Sequence, residues 1–173
     1  MSIVINGTGS ITGLSAGGLP DASVTQADLA TGIAGTGPAF SAYQSSAQTI
    51  SNSTWTKLQF QTEEWDTANC FDSTTNYRFT PNVAGYYQVN MALSYGPGTN
   101  SEFVTALYKN GSTYKYFWDL TTTWYLVNGS VTVYLNGTTD YIELYMVQYS
   151  GSSKTLSASS QTTYFQATLV RAA

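Results

Sequence analysis

From Ala84 to Tyr95 the chain alternates without a break. Tyr87, Val89, Met91, Leu93 and Tyr95 fall on one side, and Tyr86, Gln88, Asn90, Ala92 and Ser94 on the other. A period of two over such a length is that of a β-strand with one face on a core. Pro81 and Gly85 stand at its start, and Gly96-Pro97-Gly98 stops it. Other stretches repeat the pattern. Val131, Val133 and Leu135 oppose Thr132 and Tyr134. Ile142, Leu144 and Met146 oppose Tyr141, Glu143, Tyr145, Val147 and Tyr149. Phe165, Ala167 and Leu169 oppose Tyr164, Gln166, Thr168 and Val170. No helical period of any length occurs beyond residue 40, so many strands separated by turns predict a β-sandwich. Asn110-Gly111, Asn128-Gly129 and Asn136-Gly137 each lie between strand-like runs, and Asn-Gly supplies the positive φ angles of tight hairpins. Each also heads a glycosylation sequon, but the turn reading accounts for all three.

The segment before Pro38 differs in kind. Every aromatic residue lies at Phe40 or later, and the only charges in residues 1–37 are Asp21 and Asp28. Such a segment cannot build a core alone. Its spaced apolar residues, among them Ile3, Ile5, Ile11, Leu14, Leu19, Leu29 and Ile33, suit burial against identical segments of neighbouring chains. A helical turn is expected at 25–30, capped by Thr25. The organisation expected is therefore a Gly-rich extended lead over 1–37 and a folded domain over 38–173.

Charged residues make up only 9% of the 173-residue chain, and the net charge is −4. Its six cations, Lys57, Arg78, Lys109, Lys115, Lys154 and Arg171, are dispersed. Nucleic-acid binding, which requires clustered cations to displace counterions, is set aside, as is an anionic membrane surface. No apolar run is long enough for a spanning helix, and no charged leader precedes an apolar stretch at the N-terminus.

The chain has no histidine and one cysteine, Cys70. Histidine-based nucleophile systems, zinc sites and a disulfide framework are therefore excluded, and Cys70 is expected as a small buried residue. Glu63, Glu64 and Asp66 could supply paired carboxylates for glycoside cleavage, though a charged loop is the expected role. Asp66, Asn69 and Asp72 offer oxygen ligands that suit calcium, without an EF-hand spacing. No cofactor or metal is assigned. Residues 113–126 gather Tyr114, Tyr116, Phe117, Trp118, Trp124 and Tyr125 into one hairpin-like region. Alternation there sends every second ring inward.

Phe79, Gly85, Tyr87 and Val89 resemble the F-x-x-P-x-x-G-x-Y-x-F pattern of the complement component 1q and tumour necrosis factor-like jelly roll. "AFSAYQ" at 39–44 is similar to the family's opening strand, and "FQTEEWDTANCFD" at 60–72 to its first paired strands. "LYKNGS" at 107–112 resembles its hairpin, "GSVTVYLNGTTDYIEL" at 129–144 its two long strands, and "TYFQATLV" at 163–170 its closing strand. Pro81 sits one residue early, Val89 replaces a phenylalanine, and no collagen stalk is present. The resemblance implies an all-β, ten-stranded jelly-roll β-sandwich that forms homotrimers. Carried over by position, the outward faces turned to the threefold axis are Tyr86, Gln88, Asn90, Tyr134, Tyr164 and Gln166.

"INGTGSITGLSAGGLPDASVTQADLATG" resembles the attachment regions of bacteriophage fibre proteins. Together the two resemblances imply a non-enzymatic virion protein, on the capsid or tail surface. It would be a trimeric fibre or knob joined to other virion proteins through residues 1–37, and it would attach to a host surface glycan by multivalent weak binding. The alternative is a capsid cement, decoration or tail trimer without a host ligand. The ligand surface expected is a row formed by Tyr141, Tyr145 and Tyr149, with Trp118 or Trp124 nearby. Packing of that row against Tyr108 or Tyr116 is the structural alternative.

Overall fold

The computed structural model of the chain describes residues 4–5, 11–12, 37–95, 101–121 and 125–173. The chain separates into two compact units, Met1–Ala30 and Thr31–Ala173. In the first, β1 (Val4–Ile5) pairs antiparallel with β2 (Ile11–Thr12). The helical turn expected at 25–30 lies outside the described residues.

The second unit is all-β among its described residues. In chain order its strands are β3 (Ala39–Tyr43), β4 (Gln48–Ile50), β5 (Thr56–Lys57), β6 (Thr62–Asp66), β7 (Phe71–Asp72), β8 (Arg78–Phe79), β9 (Ala84–Tyr95), β10 (Ser101–Lys109), β11 (Ser112–Thr121), β12 (Tyr125–Asn136), β13 (Ile142–Gln148), β14 (Lys154–Leu156) and β15 (Tyr164–Ala172). They form a seven-stranded sheet in the order β4-β14-β9-β15-β3-β6, with β12 on the free side of β9. The facing six-stranded sheet runs β11-β10-β13-β8-β7, with β5 also on β13. All named pairings are antiparallel. This is the jelly roll expected. Short additions such as β4, β5, β7 and β14 carry the sheets beyond ten strands.

The alternation read from the sequence holds where it was strongest. Tyr87, Val89, Met91, Leu93 and Tyr95 are all buried, as are Phe165, Ala167 and Leu169. Aromatic rings join the two sheets. Phe40 stacks on Phe79 at 4.7 Å and on Phe71 at 4.5 Å, Phe79 meets Tyr87 edge-on at 5.4 Å, and Tyr95 stacks on Phe103 at 3.9 Å. Burying one such ring stabilises the fold by about 1.5–3 kcal/mol. The Tyr87 hydroxyl donates to the Val83 carbonyl at 2.7 Å, so its polar end is satisfied inside the core. Burial raises the Tyr87 phenol well above its ordinary range.

The three Asn-Gly pairs do three different things. Asn110 and Gly111, with φ of 53° and 76°, turn β10 into β11 as expected. Asn136-Gly137 connects β12 in one sheet to β13 in the other, so it is not a tight hairpin. The Asn136 side-chain oxygen accepts from the amides of Thr138, Thr139 and Asp140. Asn128-Gly129 is not a turn: it lies within β12, with Gly129 opposite Met91. A Cβ on Gly129 would stand 2.6 Å from a Phe117 ring carbon and 2.7 Å from the Met91 methyl. That glycine serves a close approach between sheets rather than a reversal.

Two other expectations are corrected. The run at 113–126 is not one hairpin, because β11 belongs to the six-stranded sheet and β12 to the seven-stranded one. Glu63, Glu64 and Asp66 lie within strand β6, not in a loop. Cys70 is partly buried; its thiol donates to the Ala68 carbonyl, and burial raises its pKa.

Candidate functional site

Strands β12, β9, β15 and β3 lie side by side, and their registers align the outward residues into rows. Ser130 faces Asn90, Asn90 faces Gln166, and Gln166 faces Ser41. The next row sets Thr132 beside Gln88 and Gln88 beside Thr168. A third sets Tyr134 beside Tyr86, which meets Arg171 just past a bulge. Tyr86, Gln88, Asn90, Tyr134, Tyr164 and Gln166 thus occupy one continuous face.

The polar members of that face are tied to one another. The Gln88 amide donates to the Ser130 hydroxyl at 2.6 Å, Ser130 donates to the Asn90 side-chain oxygen at 3.0 Å, and Thr132 donates to Gln88 at 3.0 Å. The Gln166 amide donates to the Ser41 hydroxyl at 3.1 Å, which donates to Glu64 at 2.7 Å. Side chains locked in this way lose little freedom on meeting a partner. Tyr86 and Tyr134 are 46% and 40% exposed. Leu126 and Val170 are also exposed on these strands. Val170 falls on the outward side already read from the sequence, whereas Leu126 was missed because a single outward apolar residue carries no pattern.

The outward face of β13 is more enclosed than its alternation implied. Glu143 and Val147 are buried there beside Tyr145, while Ile142, Leu144 and Met146 fill the core side. Tyr141 and Tyr149 flank the strand. The guanidinium of Arg78 sits over the Tyr141 ring at 4.4 Å, and Tyr149 is exposed. Tyr145 stacks on Tyr108 at 4.2 Å. Burial, with Glu143 beside it, raises the Tyr145 phenol pKa. Lys57 forms an ion pair with Glu143 and lies over the Tyr145 ring. The Trp118 backbone pairs with Val104 in the neighbouring strand ladder; its side chain and all of Trp124 lie outside the described residues.

Trp55, which no sequence pattern singles out, joins this face. Its ring lies 6.1 Å from Tyr108 and 6.0 Å from Tyr116. The segment that carries it is placed by distant contacts. The Ser53 amide donates to the Gln148 carbonyl at 2.8 Å, and β5 pairs with Tyr145 and Met146.

The carboxylates considered for chemistry are engaged elsewhere. Glu63 accepts from the Ser73 hydroxyl and Glu64 from Ser41, so these neighbours turn to different partners. Asp66 accepts the amides of Ala68 and Phe71. Asp72 accepts the amides of Thr74, Thr75 and Asn76, and that loop, chiefly through Thr75, holds its carboxyl far below the usual range. Among the described residues no three His, Cys, Asp or Glu side chains gather into a metal site. Asn69 and Asp72 line one open cavity beside β7, while the Asp66 carboxylate is taken by the amides of Ala68 and Phe71.

No family model matches the sequence, and no curated protein matches it. Solved structures do match its fold. The globular domain of a zebrafish complement 1qA protein superposes with a TM-score of 0.56 at 15% identity, covering 79% of this chain and 99% of that one. Eiger TNF from S. frugiperda gives 0.61 at 11% identity, covering 82% and 94%. Murine APRIL gives 0.58 at 12%, covering 77% and 98%. The folded unit of this chain has the complement 1q and tumour necrosis factor-like jelly-roll fold.

Proposed function

We propose that the chain is the subunit of a homotrimeric knob on a bacteriophage virion appendage, and that it attaches the particle to its host by many weak contacts. The observation that carries the trimer is the outward face of β12, β9, β15 and β3. Large rings stand exposed there beside a hydrogen-bonded polar lattice. A solvated sheet face has no use for a tyrosine pair of this kind, whereas a subunit contact does. Carried over from the resemblance to the complement 1q and tumour necrosis factor-like jelly roll, the threefold axis would lie on this side.

Virion location rests on the likeness of residues 1–37 to fibre attachment regions. In this reading the lead anchors the knob to other virion proteins. Three chains per knob and several knobs per particle raise avidity by about 10²–10⁴ over one site. The folded unit acts by binding, with no catalytic step.

Sedimentation of the purified chain at micromolar concentration tests the assembly; a monomer there would overturn it. Antibody against the chain, imaged on intact particles, tests the location. Binding of the knob to host cells separates attachment from a purely structural cement.

A further inference from the structure

We infer that subunits of the knob join head to tail, with Glu64 and Trp65 on the β6 margin of one copy seated on Arg171 and Tyr86 of the next. This rests on the trimer reading and supplies the contact through which one copy meets the following one.

Strands β12, β9, β15 and β3 carry a single charged residue between them, Arg171. It is exposed, stands opposite Tyr86 in the register, and lines an open hollow with Tyr86, Ala172 and Ala173. Among the described residues no carboxylate of its own subunit pairs with it. A face closed against other copies takes that guanidinium out of water. Left unpaired there, it opposes assembly, so the neighbouring copy has to bring an anion.

The same side of the sheet offers one. Two carboxylates of β6 are turned elsewhere: Glu63 accepts from the Ser73 hydroxyl, and Asp66 from the amides of Ala68 and Phe71. Glu64 lies on the outward side, where it accepts from the Ser41 hydroxyl at 2.7 Å, and it has no ion pair among the described residues. Trp65 stands opposite Ser41 in the register and is 44% exposed. Within one subunit Glu64 and Arg171 do not meet, because β3 lies between their strands and they belong to different rows.

The two patches match in kind. One presents an indole beside a carboxylate, and the other a guanidinium and a phenol beside a hollow. A guanidinium binds a carboxylate through two parallel hydrogen bonds, and its flat side stacks on an aromatic ring. Trp, Tyr and Arg are the residues in which contact energy concentrates. Unlike patches brought together by one repeated rotation close a ring.

The test is sedimentation of the full-length chain over a concentration series. Glu64→Arg and Arg171→Glu should each raise the concentration at which the trimer dissociates by about thirtyfold or more. Trp65→Ala should raise it by about tenfold or more. Combining Glu64→Arg with Arg171→Glu should recover most of the loss. Assembly unchanged in either reversal or in Trp65→Ala overturns the contact, as does a double reversal no better than the single ones. Should a reversal alter the near-ultraviolet circular dichroism of the subunit, the neutral variants Glu64→Gln and Arg171→Gln decide. Each should weaken assembly to a smaller extent, and no change in both overturns the contact. A monomeric parent sinks the trimer reading and this contact with it, whereas a trimeric parent indifferent to these substitutions sinks the contact alone.

Discussion

Tyr86 and Tyr134 face each other across the β9–β12 ladder with ring centroids 5.5 Å apart, both exposed. Lys109 clamps the second of them. Its ammonium donates to the Tyr134 carbonyl at 2.7 Å, lies 5.6 Å from the ring and pairs with Asp140 at 2.9 Å. An exposed pair braced from behind is suited to a partner chain, and this gives the first prediction. Tyr86→Ala with Tyr134→Ala should leave the subunit folded, since neither ring is in the core. The trimer should lose about 3–5 kcal/mol per buried ring, read as dissociation at micromolar concentration in the centrifuge. A double variant that remains as trimeric as the parent refutes the interface.

Gly129 and Gly137 should respond to alanine for different reasons. At Gly129 the added methyl meets the Phe117 ring and the Met91 methyl, and overpacking of this kind costs about 1–3 kcal/mol. At Gly137, φ is +71° and the methyl would overlap the backbone of Val83 and Ala84. No side chain can move aside there, so Gly137→Ala should be the more damaging of the two. Thermal melts of both variants give the order directly, and a reversed order contradicts this account.

Acid should unfold the domain through its loops. Asp72 is held low chiefly by the Thr75 amide. Asp140 is lowered because the Asn110 amide and Lys109 outweigh its burial. A depressed carboxyl stabilises the fold above its unfolded pKa, about 3.8 here. That stability is lost as pH falls through the folded value. Melting temperature should therefore fall steeply below about pH 4. Asp72→Asn should be less stable than the parent at neutral pH and show a shallower decline in acid. Parallel curves for the two proteins would remove Asp72 from the explanation.

At the alkaline end the sign reverses. The Tyr87 phenol is raised from 10.0 by burial, so it favours the fold while protonated, with the effect fully present below its unfolded value and lost as pH rises through the folded one. In the native protein Tyr87 and Tyr145 should both resist spectrophotometric titration above pH 10, and Tyr87→Phe should remove one phenol from that lagging group. The same substitution leaves the Val83 carbonyl without its donor and should cost about 1 kcal/mol.

The strand at β9 was legible because every inward residue from Tyr87 to Tyr95 obeys one period, and local alternation is a property of the strand itself. Asn128-Gly129 misled because the dipeptide has two uses, and only the ring of Phe117, from the other sheet, decides which applies. Trp55 was invisible for a related reason. Nothing in "SNSTWTK" has a period, and its position depends on Gln148, nearly a hundred residues away in sequence. Alternation on β13 separated the core side correctly, yet it could not show that Glu143 and Val147 would be covered on the other. Sequence periodicity reports the direction of a side chain and is silent about what lies beyond it.

The register slip opposite Glu64 has a consequence for how such molecules crowd together. β6 closes one side of its sheet, and its backbone groups would offer a template to any passing strand. Between Ser41 and Ala42 the pairing shifts, so Glu64 has no opposite residue, and the strand also carries Glu63 and Asp66. A bulged, anionic margin repels an identical margin and breaks the flat geometry that end-to-end sheet growth demands. Copies packed at high density are thus steered away from fibrillar aggregation, and the acidic trio acts as a guard on the rim of the sandwich.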